Sequence, residues 1–161
     1  MTRPVYVAVC GPGDASGEEA NWAEEVGRFL ARAGAVLVCG GLGGVMEAAV
    51  RGAHEESGVT LGLLPGADRW GAAAGLTLSV PTGMGEGRNA LIVRAADALI
   101  AIAGEFGTLS EIALALKTNV PVVGLSTWEL YRGGRRVDAF PTATTPEEAV
   151  QLALSLAGQG V

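Results

Sequence analysis

The chain has 161 residues, 49% of them apolar and 17% charged, which fits one folded domain over 1–161 rather than a disordered or fibrous chain. Its net charge is −6 and its only close basic group is Arg132, Arg135 and Arg136, so it lacks the basic face that nucleic acid requires of a partner. No apolar run reaches about 18 residues and MTRPVYVAVCG carries no leader-like apolar region, so the expectation is a cytoplasmic protein without membrane contact.

In that compartment Cys10 and Cys39 are reduced thiols. Each ends an apolar run and reads as a small buried side chain. Two cysteines and the lone His54, expected on the surface, are too few for a metal site.

Along the chain, apolar runs alternate with segments of helical period. Residues 5–11, VYVAVCG, read as a buried strand. Residues 18–33 read as a helix with Trp22, Val26, Phe29, Leu30 and Ala33 on one face, capped by Ser16 and Glu19 and ended by Gly34. Residues 35–41 form the second strand, 44–56 the next helix and 59–65 the third strand. The first half of 76–84 is the fourth strand, a helix covers about 86–96, and 97–104 is the fifth strand. A helix over 108–118 ends at Asn119 and Pro121, and 120–126 is the sixth strand. The stretch 127–144 is irregular, with room for a short seventh strand. The final helix starts at Thr145 as N-cap, Pro146 as its first residue and Glu148 as the capping partner.

Repeated β–α units with continuously apolar strands imply a doubly wound, mostly parallel sheet of six or seven strands, an α/β fold of Rossmann type. Ligands of such sheets bind at the carboxyl ends of the strands. Here those ends read CGPGDASG, CGGLGG, PTGMGEGRN and AGEFGT, four glycine-rich loops on one edge, each leading into a helix. Glycine allows close backbone approach, and a helix N-terminus offers free N–H groups and positive dipole. Together they suit an anion, most simply the phosphate of a small ligand. The dinucleotide fingerprint does not fit, because Ser16 stands at its third glycine position and no acidic residue ends the second strand. A G-x-x-x-x-G-K-[ST] loop is also absent.

CGGLGGVMEAAVRGA followed by GMGEGRNALIVRAADALIAIAGEFGTLSEIALALKTNVPVVGL resembles a superfamily of Rossmann-like nucleotide-binding proteins. It holds the Lonely Guy phosphoribohydrolases and the bacterial proteins labelled lysine decarboxylases. The stretches RN and GTLSEIALALK place the resemblance nearest the molybdenum cofactor carrier branch. In the hydrolases an Arg–Lys pair precedes the fifth strand and P-G-G-x-G-T-x-x-E follows it. The resemblance thus implies Arg88 and Glu111 as a catalytic pair, if the chain is a hydrolase. It implies Gly104, Gly107 and Thr108 as a phosphate cradle, with Gly40, Gly41, Gly43 and Gly44 as the second glycine loop. Gly11, Gly13, Arg88 and Asn89 complete the candidate ligand-binding set.

The implied ligand is molybdenum cofactor in a carrier, or a nucleoside 5′-monophosphate in a hydrolase, and the chemistry needs no further cofactor. The superfamily also implies a homo-oligomer, a dimer or dimer of dimers. Three positions depart from the hydrolases: Asn89 for Lys, Ala103 for Pro and Glu105 for the second glycine. An anionic Glu105 repels a phosphate unless it points outward, so ligand binding is preferred to hydrolysis. The decarboxylase label fails on the residues themselves. Lys117, the only lysine, ends a helix away from the glycine edge, where it cannot serve as a Schiff base.

Spacing alone leaves several roles open. Thr108-x-x-Glu111 is also a capping box with Thr108 as N-cap. Arg88 fits a solvated helix residue as well as an anion clamp, and Asn89 a cap as well as a base contact. Asp14 and Ser16 suit the turn before the first helix, Glu47 suits a helix surface, and Trp70 suits either a ligand or a subunit contact.

Overall fold

The computed structural model describes residues 3–158. In chain order it contains β1 (Tyr6–Cys10), α1 (Gly17–Arg32), β2 (Val36–Cys39), α2 (Val45–Glu55), β3 (Thr60–Leu64) and β4 (Leu78–Pro81). A 3-10 turn (Gly85–Arg88) leads into α3 (Asn89–Ala95), β5 (Ala98–Ile102), α4 (Phe106–Lys117) and β6 (Val122–Leu125). Then come β7 (Leu130–Arg132), β8 (Arg135–Val137), β9 (Thr142–Ala143) and α5 (Pro146–Ala157). Seven strands form one parallel sheet in the order β4-β3-β2-β1-β5-β6-β9. This is the expected α/β fold with a Rossmann-like core.

Strand alternation sends β1, β2 and β5 side chains to both faces, and both are covered. Val7, Val9, Leu37, Cys39, Ile100 and Ile102 pack under α1, α2 and α5. Ala8, Cys10, Val38, Leu99 and Ala101 pack under α3 and α4. The chain therefore reads as unbroken apolar runs there rather than alternating ones. Two glycines let α1 and α2 touch backbone to backbone: a methyl group on Gly27 would lie 2.0 Å from the Ala49 carbonyl oxygen, and one on Gly52 1.9 Å from that of Glu24.

Each of the first six strands lies inside its expected segment, except that β4 runs one residue past the first half of 76–84. Three expectations change. The segment 127–144 does hold the short seventh strand of the main sheet but is more regular than expected. It holds the β7–β8 hairpin, closed by Gly133 and Gly134 at φ +58° and +77°, and then β9, which extends the main sheet beside β6. A Gly-Gly pair between two short runs is a hairpin signal. The helix expected at 86–96 is split into the 3-10 turn and α3. And α4 starts at Phe106, two residues before Thr108.

The caps at Ser16 and Thr145 are present. Ser16 Oγ accepts from Glu19 N at 3.3 Å while Glu19 accepts from Ser16 N at 2.8 Å. Thr145 Oγ1 accepts from Glu148 N, but Glu148 reaches one residue further back, accepting from Thr144 N at 2.7 Å and Thr144 Oγ1 at 2.8 Å. Among the described residues no helix is long and apolar enough to cross a membrane.

Candidate functional site

The strand order reverses at β1, which has β2 on one side and β5 on the other. The crevice at such a switch is where a parallel sheet can admit a ligand. A cavity of ≈ 300 Å³ lies there. The end of β1 contributes Cys10, Gly11 and Gly13, and the end of β2 contributes Gly40. The 3-10 turn and α3 contribute Glu86, Arg88 and Asn89, and the start of α4 contributes Glu105, Gly107, Thr108 and Glu111. The structure thus brings together Gly11, Gly13, Gly40, Arg88, Asn89, Gly107, Thr108 and Glu111 of the candidate set.

Gly41, Gly43, Gly44 and Gly104 stand outside the lining. Gly44 is the residue before α2, at φ +65°, and its α-carbon faces the Pro12 carbonyl so closely that a methyl group would lie 2.3 Å from the oxygen. Gly41 packs on Leu64, and Gly43 meets the Gly13 carbonyl. Gly104 closes on Thr108. These glycines shape the loops; the lining ones face the cavity.

Arg88 is 7% exposed, and no salt bridge joins it to a carboxylate among the described residues. The solvated-helix reading of Arg88 therefore falls. Its Nη1 donates to Asn89 Oδ1, its Nη2 approaches the Gly40 carbonyl at 3.5 Å, and its Nε has no partner. Asn89, also buried, donates through Nδ2 to Ser110 Oγ at 3.0 Å, and that hydroxyl donates to the Gly107 carbonyl at 2.7 Å. This relay ties the guanidinium to the first turn of α4.

That first turn has donors to spare. The N-cap is Glu105, whose side chain makes no capping bond, and the first helical bond runs from Leu109 N to Glu105 O at 3.0 Å. The N–H groups of Phe106, Gly107 and Thr108 precede it and have no acceptor within the helix. They add positive dipole at the cavity. Thr108 is thus the third helical residue and not an N-cap, so the capping box with Glu111 does not form. The Glu105 side chain is exposed at the cavity mouth. Before it, Ala103 sits at φ +47° and donates its N–H to Leu125 O at 3.1 Å. Proline can do neither, so Ala103 and the altered cradle belong to one loop conformation.

Glu111 is 7% exposed and shares the cavity wall with the Cys10 thiol, which is placed to donate to its carboxylate. Burial pushes its carboxyl up to about 7, against the opposing pull of that hydrogen bond and of Arg88. Burial, helped by the Glu111 charge, holds the Cys10 thiol well above its ordinary range and favours its protonated form. Cys10 is the small buried side chain expected from the sequence, and in addition it reaches the cavity wall next to Gly11. Trp70 is 92% exposed and lies outside the cavity lining, while Ser16 serves as the α1 cap. Lys117 is the last residue of α4, at the end opposite the cavity. Among the described residues no cluster of three or more His, Cys, Asp or Glu is placed to hold a metal ion.

The comparisons with known proteins agree with this architecture. The molybdenum cofactor binding protein of Rippkaea orientalis superposes with a TM-score of 0.88 at 32% identity, over 97% of this chain and 99% of that one. The molybdenum cofactor carrier protein of Chlamydomonas reinhardtii does so with 0.85 at 30% identity, over 97% and 99%. A protein of Archaeoglobus fulgidus is 39% identical over 152 residues, 94% of this chain and 95% of its own length. The SLOG cluster4 model matches residues 4–153, and the chain belongs to that family.

Proposed function

We propose that this chain binds a small phosphate-bearing ligand of nucleotide or pterin type in the cavity between β1 and β5, and holds it without transforming it. The observation that carries this reading is Arg88. It is a guanidinium buried without a carboxylate partner, its Nε unsatisfied, beside three N–H groups that lack acceptors. Burying a charge in that way is costly unless an anion completes it. Glu105 is exposed where it lines the cavity mouth, so solvent screens its charge more than that of a buried carboxylate. The similarity to molybdenum cofactor carrier and binding proteins supports that cofactor as the cargo. In that case Arg88, Gly107 and Thr108 hold the phosphate. We take the acting unit to be the whole chain, 1–161, as a homo-oligomer. The exposed apolar side chains of the edge strand β4, Leu78 and Val80, suit a subunit contact.

The test is direct. The protein is purified from a host that makes molybdenum cofactor, and its molybdenum and bound pterin are measured beside an Arg88→Met variant. Retention by the wild type alone is expected. Equal retention by both sinks the reading.

A second reading rests on Glu111. A carboxyl group with a pKa of about 7, held by Cys10 in the same cavity as Arg88, is suited to general acid–base work. In that reading Glu111 assists cleavage of the N-glycosidic bond of a nucleoside 5′-monophosphate while Arg88 positions the phosphate. Release of free base from a monophosphate panel, lost in Glu111→Gln, would establish the hydrolase over the carrier.

A further inference from the structure

The cavity does not end at Asn89. A second one, of ≈ 530 Å³, continues past Glu86, Asn89 and Gly107, residues that line both. It is a groove between the Gly85–Arg88 turn with the start of α3 and one face of α4. Phe106, Ser110 and Leu114, spaced four apart, form the α4 wall.

Phe106 is 79% exposed, yet it is held in place. Its ring lies 5.8 Å from that of Trp128, tilted by 34°. The Trp128 indole N–H donates to the Glu105 carbonyl at 3.3 Å. The ring is thus braced by a second aromatic that is itself tied to the residue preceding Phe106. A fixed, solvent-facing aromatic beside an anion site suits stacking against a flat ring.

We propose that this groove takes the heteroaromatic ring of the ligand whose phosphate sits at Arg88, with Phe106 as its stacking face. The proposal rests on the ligand-binding reading above and adds a second subsite to it. The two cavities together match the size of a site for a small ligand with phosphate and ring. Glu86 offers the groove an acceptor, which favours a ring edge that presents N–H donors. The amino-pyrimidinone edge shared by guanine and pterins is of that kind.

Calorimetric titration with guanosine 5′-monophosphate and with ribose 5-phosphate tests the subsite. The wild type binds the nucleotide at least about tenfold tighter than the sugar phosphate, the contribution of one stacked ring. Phe106→Ala, which keeps the backbone N–H of that position, brings the two affinities together, and Phe106→Tyr keeps them apart. Phe106 is exposed at the first position of α4, so both variants fold. Three results overturn the proposal: Phe106→Ala binding the nucleotide as well as wild type, a parallel loss for both ligands, or a change in sedimenting mass with both affinities intact. If ribose 5-phosphate binds and the nucleotide binds no tighter, only the ring subsite fails. If neither ligand binds the wild type, the phosphate reading of the cavity fails with it.

Discussion

Gly40 and Arg88 fill complementary space at the switch between β1 and β5. A methyl group on Gly40 would lie 2.6 Å from Arg88 Nη2 and 2.7 Å from the Met46 sulfur. Glycine at 40 is therefore what lets a full-length guanidinium lie across the end of β2. Gly40→Ala should push Arg88 out of line with the free N–H groups of α4. Because both displaced atoms are ends of side chains, the fold should absorb the change. The expected result is a phosphate-ligand affinity lower by about tenfold or more, as for a lost charge-assisted hydrogen bond, with stability within about 1 kcal/mol of wild type. Unchanged affinity would mean that Arg88 does not reach the ligand.

Arg88 should also trade stability for binding. An unpaired buried guanidinium costs more in desolvation than the neutral hydrogen bonds to Asn89 and Gly40 return. Arg88→Met removes the charge and keeps the volume. Its ligand-free melting temperature is expected to rise by about 2–4 °C, roughly 1 kcal/mol for a chain of this length, while ligand-induced stabilisation disappears. A lower melting temperature would show that Arg88 is a structural residue.

The sheet was legible because buried parallel strands, here β1, β2, β3, β5 and β6, leave nearly continuous apolar runs between helices, and the exposed edge strand β4 follows from its place after them. The site was legible only in part. Thr108-x-x-Glu111 and Ser16-x-x-Glu19 have the same spacing, yet one pair is buried in a cavity and the other caps a helix. What separates them is where the helix begins, and that depends on the turn at Ala103 and Gly104 rather than on the pair itself. Gly41, Gly44 and Gly104 carried the same letter as Gly40 and Gly107 but serve loop closure, a distinction that needs three-dimensional neighbours. The hairpin at Gly133 and Gly134 follows from a local rule, a Gly-Gly pair between two short strand-like runs.

Glu111 should make stability depend on pH in an unusual direction for a carboxylate. In the unfolded chain a glutamate ionises near 4.5, whereas burial holds the folded one near 7. Between those values the native state keeps a proton that the unfolded chain has released. This group's contribution is thus fully present below about 4.5, falls as pH rises and is gone above about 7. The full range amounts to about 3 kcal/mol. Urea unfolding at pH 5 and pH 8 should show a larger loss in wild type than in Glu111→Gln, which cannot ionise. Equal losses would place the Glu111 carboxyl in water.

Gly104 and Gly107 should respond in opposite ways to the same methyl group. Gly104 sits at φ +121°, and a Cβ there would lie 2.6 Å from that of Thr108. Gly104→Ala is therefore expected to destabilise the fold by about 2 kcal/mol or more, with binding lost as a consequence. Gly107 is the second residue of α4, and a Cβ there meets nothing within 4 Å. Neither backbone strain nor packing within the chain calls for glycine at 107. Alanine is the better helix former by up to about 1 kcal/mol, so Gly107→Ala should fold as well as wild type or slightly better. If the phosphate approaches the free N–H groups of this turn, the added methyl stands in its path and affinity drops while stability does not. Melting curves with and without ribose 5-phosphate separate the two variants. A Gly107→Ala protein that binds as wild type would move the phosphate away from α4.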